Sequence, residues 1–193
     1  MPPITQALVV ANVALFLLES VAGTVLVEWF ALWPLAAGLS DAPPFQPWQL
    51  VSYAFLHGGL THLFFNMFGL YMFGSEIERL FGPRFFSLYY FACVVSAALC
   101  QLVVSGWSGA PPVPTVGASG GIYGLLLAFG MYFPRRIVVL IFPPIPMQAR
   151  VFVFVFAALE LFLGVTGTAA GVAHFAHLGG MLGGWLMIRY RRG

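Results

Sequence analysis

Six apolar stretches, nearly free of charge, dominate this chain and limit what it can fold into. They cover about residues 6–27, 50–73, 84–105, 119–133, 148–167 and 173–190. Of the 193 residues, 61% are hydrophobic and only 7% charged. A soluble domain carries about 25% charged residues, so these stretches must meet lipid or one another. The chain reads as an all-α membrane protein: six transmembrane helices in a single domain over 1–193, with no soluble domain. That excludes a secreted disulfide scaffold, a nucleic-acid binder and an ordinary cytosolic enzyme. A net charge of +2 calls for no anionic partner beyond lipid headgroups. Cys93 and Cys100 lie seven residues apart in one stretch, about 10 Å along a helix and too far for a disulfide, so both read as packing residues.

The arginines orient the bundle, since the chain has no lysine. Arg79 and Arg84 follow the second stretch, Arg135, Arg136 and Arg150 follow the fourth, and Arg189, Arg191 and Arg192 close the chain. All fall on one side, which the positive-inside rule makes cytoplasmic. Both termini are then expected in the cytoplasm, with a bacterial inner membrane as the expected location. The start, Met1-Pro-Pro-Ile-Thr-Gln, lacks a basic signal-peptide region, so the first helix is read as retained. Between the first two stretches, 28–49 holds Trp29, Phe30, Trp33, Pro34, Pro43, Pro44, Phe45, Pro47 and Trp48. Indoles with interspersed prolines read as a structured loop in the membrane interface.

The fourth stretch is too short. Fifteen helical residues from Ser119 to Phe133 span about 22 Å, against a hydrocarbon core of about 30 Å. Anchored near Arg135, the helix must begin below the outer surface, and 111–118 must descend into the membrane as irregular backbone. Such backbone is tolerated only inside protein or beside a wet cavity, so a hydrated recess with Ser119 at its floor is expected.

Polar residues inside spans are expensive and need a reason. They are Asn12, Glu19, His57, His62, Asn66, Glu160, His174 and His177, with Ser119 heading the short helix. His62 and Asn66, four apart, share a helix face. Together with Ser119 and His177 they fall in the outer leaflet. A serine hydroxyl needs a base to become a nucleophile, and His177 can serve. Gly117-Ala-Ser-Gly120 puts Ser119 at a helix N-terminus, whose free N–H groups can stabilise an oxyanion, with His62 and Asn66 as further donors. Gly120 and Gly124 form one close-packing face, and Ala176, Gly180 and Gly184 another, so two short side chains can meet. From these residues alone, a solute pathway through the recess and a non-catalytic binder of client helices remain open. Glu19 and Glu160 have no evident cationic partner, and Glu160 reads as lipid-facing or as a neutral, hydrogen-bonded acid.

Five stretches carry a resemblance: Trp48-Gln-Leu-Val-Ser-Tyr-Ala-Phe-Leu-His57, His62-Leu-Phe-Phe-Asn66-Met, Gly74-Ser-Glu-Ile-Glu78-Arg, Gly117-Ala-Ser-Gly-Gly-Ile-Tyr123-Gly and Ala176-His-Leu-Gly-Gly-Met-Leu-Gly-Gly184. In this order, over nearly the whole chain, they resemble the rhomboid family of intramembrane serine proteases. The resemblance implies a six-helix bundle with a membrane-embedded first loop and a Ser–His dyad that works without a third, acidic residue. It makes Ser119 the nucleophile and His177 the general base, with His62, Asn66 and the Ser119 N–H as oxyanion hole. Tyr123 would pack on the catalytic imidazole, supported by Gly117, Gly120, Gly180 and Gly184. Glu78-Arg79 would belong to a network at the cytoplasmic helix ends. Substrates would be transmembrane proteins cut near the outer end of a span, through an acyl-enzyme, with no metal or cofactor; no oligomeric state is implied. The family often has Trp-Arg where this chain has Trp48-Gln49, which puts the anchoring of the first loop in question. The fifth span and the glycine-rich cap at 164–171 are expected to move.

Overall fold

The computed structural model describes residues 1–35, 41–108, 111–140, 143–167 and 172–192. Its helices are α1 (Pro3–Ala22), α2 (Val25–Phe30), α3 (Gln49–Ser52), α4 (Leu60–Gly69), α5 (Ser75–Phe81), α6 (Pro83–Ser108), α7 (Ser119–Tyr132), α8 (Ala149–Thr166) and α9 (His174–Arg192). A 3₁₀ turn, Tyr53–Phe55, extends α3, and a π turn, Leu70–Gly74, joins α4 to α5. By length and composition α1, α8 and Pro83–Trp107 of α6 are able to cross a bilayer. The α4–α5 rod, α7 and α9 take the places of the second, fourth and sixth expected spans. Of the cap expected to move, 168–171 lie outside the described residues.

The boundaries differ from the sequence-based expectation where glycine or proline intervenes. The second rod starts at Leu60 rather than near 50, because Gly58-Gly59 interrupts the chain and leaves 49–55 as short turns of the first loop. It continues to Phe81, where Gly82 at φ +76° ends it with an N–H bond to the Glu78 carbonyl, and Pro83 opens α6. Likewise Gly23, at φ +64°, stops α1 five residues early. A two-stranded antiparallel hairpin that hydropathy did not reveal follows α7: β1 (Ile137–Val139) pairs with β2 (Pro146–Gln148), Ile137 opposite Gln148. Its first strand is wholly β-branched, which suits extended backbone.

Helix α6 is the central post. Phe86, Tyr89, Tyr90, Cys93, Val94, Ala97 and Ala98 are all essentially inaccessible, and their 3–1–3–1 spacing makes one broad stripe. Helices α7 and α9 pack on this stripe and on each other. Along the seam side chains are nearly absent. A Cβ at Gly120 would come 2.5 Å from the Ala97 methyl, one at Gly124 would strike Cys93, and one at Gly180 would collide with the Gly120 carbonyl oxygen. Hydroxyls tie the same seam: Tyr89 Oη donates to the Gly124 carbonyl at 2.6 Å, and Ser96 Oγ to the Gly179 carbonyl at 2.7 Å. Cys93 and Cys100 are both free thiols.

The rods are latched at opposite ends. At one end, Glu78 is buried and accepts the backbone N–H groups of Ile4 and Thr5, at 2.9 and 2.7 Å, and the Thr5 hydroxyl at 2.7 Å. The carboxylate thus satisfies orphan donors of the α1 N-terminus and faces the positive end of its dipole. Arginines gather at this end. Arg79 and Arg136 both pair with Glu76, and Arg191 lies over the rings of Phe81 and Phe85.

At the other end the first loop is anchored by the residue that departed from the family pattern. The fully buried Gln49 accepts the Trp33 and Gln46 N–H groups, each at 3.2 Å, and donates to the Trp29 carbonyl at 3.3 Å. The loop in turn grips the strand leading to α7. Leu32 and Thr115 exchange two backbone hydrogen bonds, and Gly117 N–H donates to the Tyr53 carbonyl.

Two substitutions and a control probe this construction. Glu78→Ala leaves three donors unsatisfied and should lower stability by about 2–3 kcal/mol, read as an earlier thermal transition in detergent. Gly180→Ala should cost about 1–3 kcal/mol through overpacking. Gly106→Ala on α6, where a Cβ meets nothing within 4 Å, should leave the transition unchanged or slightly raised.

Candidate active site

Ser119 is the first residue of α7. Gly117 precedes it at φ +121°, a conformation that side chains rarely adopt, and a Cβ there would press within 2.7 Å of the His62 imidazole. Glycine therefore sharpens the turn into α7 and leaves room for His62 above it. The Ile122 N–H bonds to the Ala118 carbonyl at 3.1 Å, so the N–H groups of Ser119 and Gly120 have no intrahelical acceptor. They form a donor pair at the positive end of the helix dipole.

Across the glycine seam, α9 brings His177 to Ser119, with Nε2 2.8 Å from Oγ. Tyr123, one turn along α7, stacks face to face on the His177 ring, centroids 4.2 Å apart and planes within 5°. Ser119 remains partly accessible while His177 is buried. The nucleophile candidate is thus reachable from outside, and the base candidate is enclosed.

On α4, His62 accepts the Gly58 N–H at Nδ1, 3.3 Å. With Nδ1 accepting, the neutral ring carries its proton on Nε2, and the Nε2 edge is the one lying over Gly117 beside Ser119. Asn66 is buried and donates to the His62 carbonyl at 2.8 Å, bracing the turn that carries His62. His57, also buried, meets His62 edge-on at a centroid distance of 5.1 Å. The His57 backbone N–H donates to a Glu19 carboxylate oxygen at 3.2 Å, so Glu19 tethers the loop to α1. The structure therefore brings Ser119, His177, Tyr123, Gly117 and His62 together, with Asn66 behind His62. Gly120, Gly180 and Gly184 lie in the seam beneath.

For Glu160, which the sequence leaves as either lipid-facing or hydrogen-bonded, the structure rules out the first and bears out the hydrogen bonding. It is buried on α8, its carboxylate turned into the site. Tyr123 Oη donates to Oε1. His174 Nδ1 lies 2.5 Å from Oε2, and His177 Nδ1 lies 3.0 Å from Oε1 in a bent approach. Against the dyad implied by the resemblance, an acid stands behind the histidine. The signal available in the sequence was the cost of an acid in an apolar span, together with His174 one turn before His177. Pairing them needed the packing of α8 on α9. Ligand atoms of Glu160, His174 and His177 all fall within 4.8 Å of one another. However, two ligands of one tetrahedral zinc stand about 3.3 Å apart, and the observed contacts of 2.5 and 3.0 Å are closer than that.

A cavity of about 440 Å³ lined by Tyr71, Glu76, Arg79, Phe129, Arg136 and Val138 lies at the arginine end, the far end of α7 from Ser119.

Comparison with known proteins agrees with this architecture. The family model for the Rhomboid domain matches residues 44–192, a span holding every residue of the site. The rhomboid protease GluP of Bacillus subtilis is 29% identical over 140 residues, covering 72% of this chain and 25% of that protein. The rhomboid protease GlpG of Pectobacterium atrosepticum is 25% identical over 187 residues, 96% of this chain and 61% of its own. RHOMBOID-like protein 12, mitochondrial, of Arabidopsis thaliana is 26% identical over 191 residues, with coverages of 92% and 55%. The chain spans from a quarter to about six tenths of the length of these relatives. With the domain matched over most of its length, this helical membrane protein belongs to the rhomboid family.

Proposed function

We propose that the chain is an intramembrane serine endopeptidase, with Ser119 as nucleophile and His177 as general base. The 2.8 Å contact between Ser119 Oγ and His177 Nε2, across two glycine-lined helices in an apolar bundle, carries the reading. Nε2 takes the hydroxyl proton as Oγ attacks a peptide carbonyl carbon. The negative oxygen that forms meets the free N–H groups of Ser119 and Gly120 at the helix N-terminus and the Nε2–H of His62, with the Asn66 amide as a further donor. Collapse returns the proton from His177 to the leaving amine and leaves an ester on Ser119. Water, activated by the same histidine, then hydrolyses the ester. Tyr123 keeps the imidazole plane fixed throughout.

The substrate is a transmembrane segment of another protein, cut near its outer end. A helical amide is shielded by its own hydrogen bonds, so Gly, Ala, Ser or Pro that loosen the helix let a carbonyl reach Ser119. The arginine bias supports a cytoplasmic arginine end, with Ser119, at the opposite end of α7, opening toward the outer side.

A fluorophosphonate probe should label the detergent-solubilised protein, and Ser119→Ala should abolish labelling; equal labelling of the variant would show that the nucleophile lies elsewhere. His62→Ala should slow labelling by about 10²–10³-fold, the usual cost of one oxyanion donor, with the thermal transition retained. Incubation with single-span membrane proteins should give fragments whose ends, mapped by mass spectrometry, lie near the outer end of the span with wild type and are missing with Ser119→Ala.

A further inference from the structure

Glu160 joins three side chains of the site on one carboxylate. It accepts from Tyr123 on α7, lies 2.5 Å from His174 Nδ1 on α9, and lies 3.0 Å from His177 Nδ1 one turn further along. Both histidines and the acid are buried, each less than a tenth exposed. The titratable groups around His177 are Ser119 and Tyr123 from α7, Glu160 from α8, His174 from α9 and His62 from α4. No lysine or arginine is among them. A proton taken up by His177 thus has Glu160 as its only counter-charge in this group.

We propose that Glu160 is the positioning residue for the catalytic base, completing a Ser119–His177–Glu160 relay. The inference rests on the Ser119/His177 reading above and extends it. A neutral imidazole has one N–H. A carboxylate oxygen beside Nδ1 draws it there, which leaves the Nε2 lone pair toward Ser119, as general-base chemistry requires. When Nε2 takes the serine proton, the imidazolium finds its counter-charge 3.0 Å away. Glu160 takes no proton: the Nδ1 hydrogen stays on nitrogen while the serine proton passes through Nε2 to the amine.

The bent approach at Nδ1 fits a resting site, because catalytic hydrogen bonds often align only once substrate is bound. Tyr123 and His174 hold the carboxylate while that happens. Their donors also offset part of the cost of keeping a charge away from water. The Tyr123 ring that stacks on His177 is tied by its hydroxyl to the same carboxylate, so one acid fixes both the plane and the tautomer of the base.

Three variants test this: Glu160→Gln, which keeps the shape and removes the charge, Glu160→Leu, which removes charge and acceptor, and Ser119→Ala. Each is compared with wild type by the rate of fluorophosphonate acylation, by kcat and KM on a cleaved substrate, and by thermal transition. Expected is a fall in acylation and kcat of at least about tenfold for Gln and about 10²-fold for Leu, the lower range for losing general-base function. KM should be unchanged, as for an interaction made in the transition state. An NMR signal from a nitrogen-bound proton at His177 Nδ1 is expected in wild type and should be absent in Glu160→Leu. Acylation at the wild-type rate in folded Glu160→Gln overturns the role, as does a loss confined to KM or to the thermal transition. If Leu fails to fold, Gln alone decides. Labelling that persists in Ser119→Ala overturns the nucleophile assignment, and the relay with it. Silence there, combined with full rates in the Glu160 variants, removes Glu160 alone.

Discussion

Two glycine backbones in contact, Gly120 on α7 and Gly180 on α9, carry the arrangement on which the rest depends. No side chain fits between them: a Cβ on Gly180 would overlap the Gly120 carbonyl oxygen. The hydrogen in its place faces that oxygen, the disposition of a weak Cα–H···O contact. In lipid, helices gain nothing from hiding apolar surface and associate through close packing and hydrogen bonds. Backbone proximity is therefore both the adhesive and the ruler. Serine and histidine have short side chains, and they reach 2.8 Å only because their helices approach so closely. The aromatic and thiol side of the seam, Tyr89, Tyr90 and Cys93 on α6, fills the space that the missing Cβ atoms leave.

The surrounding structure positions that seam. The first loop is bound by Gln49 and by the Leu32–Thr115 bridge. It holds the irregular strand before α7 in place and satisfies backbone groups that lipid could not. At the far end, Glu78 caps α1, and Glu76 gathers Arg79 and Arg136. Charge therefore concentrates where water is available, and the polar groups buried among the described residues include those around Ser119, the Asn12 amide bonded within α1, and tethers such as Glu19 to His57.

Much of this was legible in the residues. Apolar run length, arginine placement and the shortness of the fourth stretch, 14 helical residues from Ser119, follow from bilayer dimensions and local composition. The pairing of Ser119 with His177 could be expected because small residues flank both. The start of α4 at Leu60 and the run-on to Phe81 were obscured, since hydropathy does not register a glycine pair or a Gly-Pro stop when the flanking residues are equally apolar. The hairpin after α7 was missed for a related reason: three β-branched residues beside prolines give too short a pattern to stand out.

The sequence by itself determined the class of the molecule, a lipid-solvated helical bundle with a serine at a helix start and a histidine on a small-residue face. These are local and periodic properties, and a single chain displays them directly. Only the tertiary structure decided what each buried polar group meets. Gln49 became a loop anchor and Glu19 a tether, and Glu160 came to stand behind His177, because α1, α8 and the first loop fold onto residues far away in sequence. The direction of a carboxylate inside a membrane depends on which neighbouring rods supply donors, and no periodicity along its own helix encodes that.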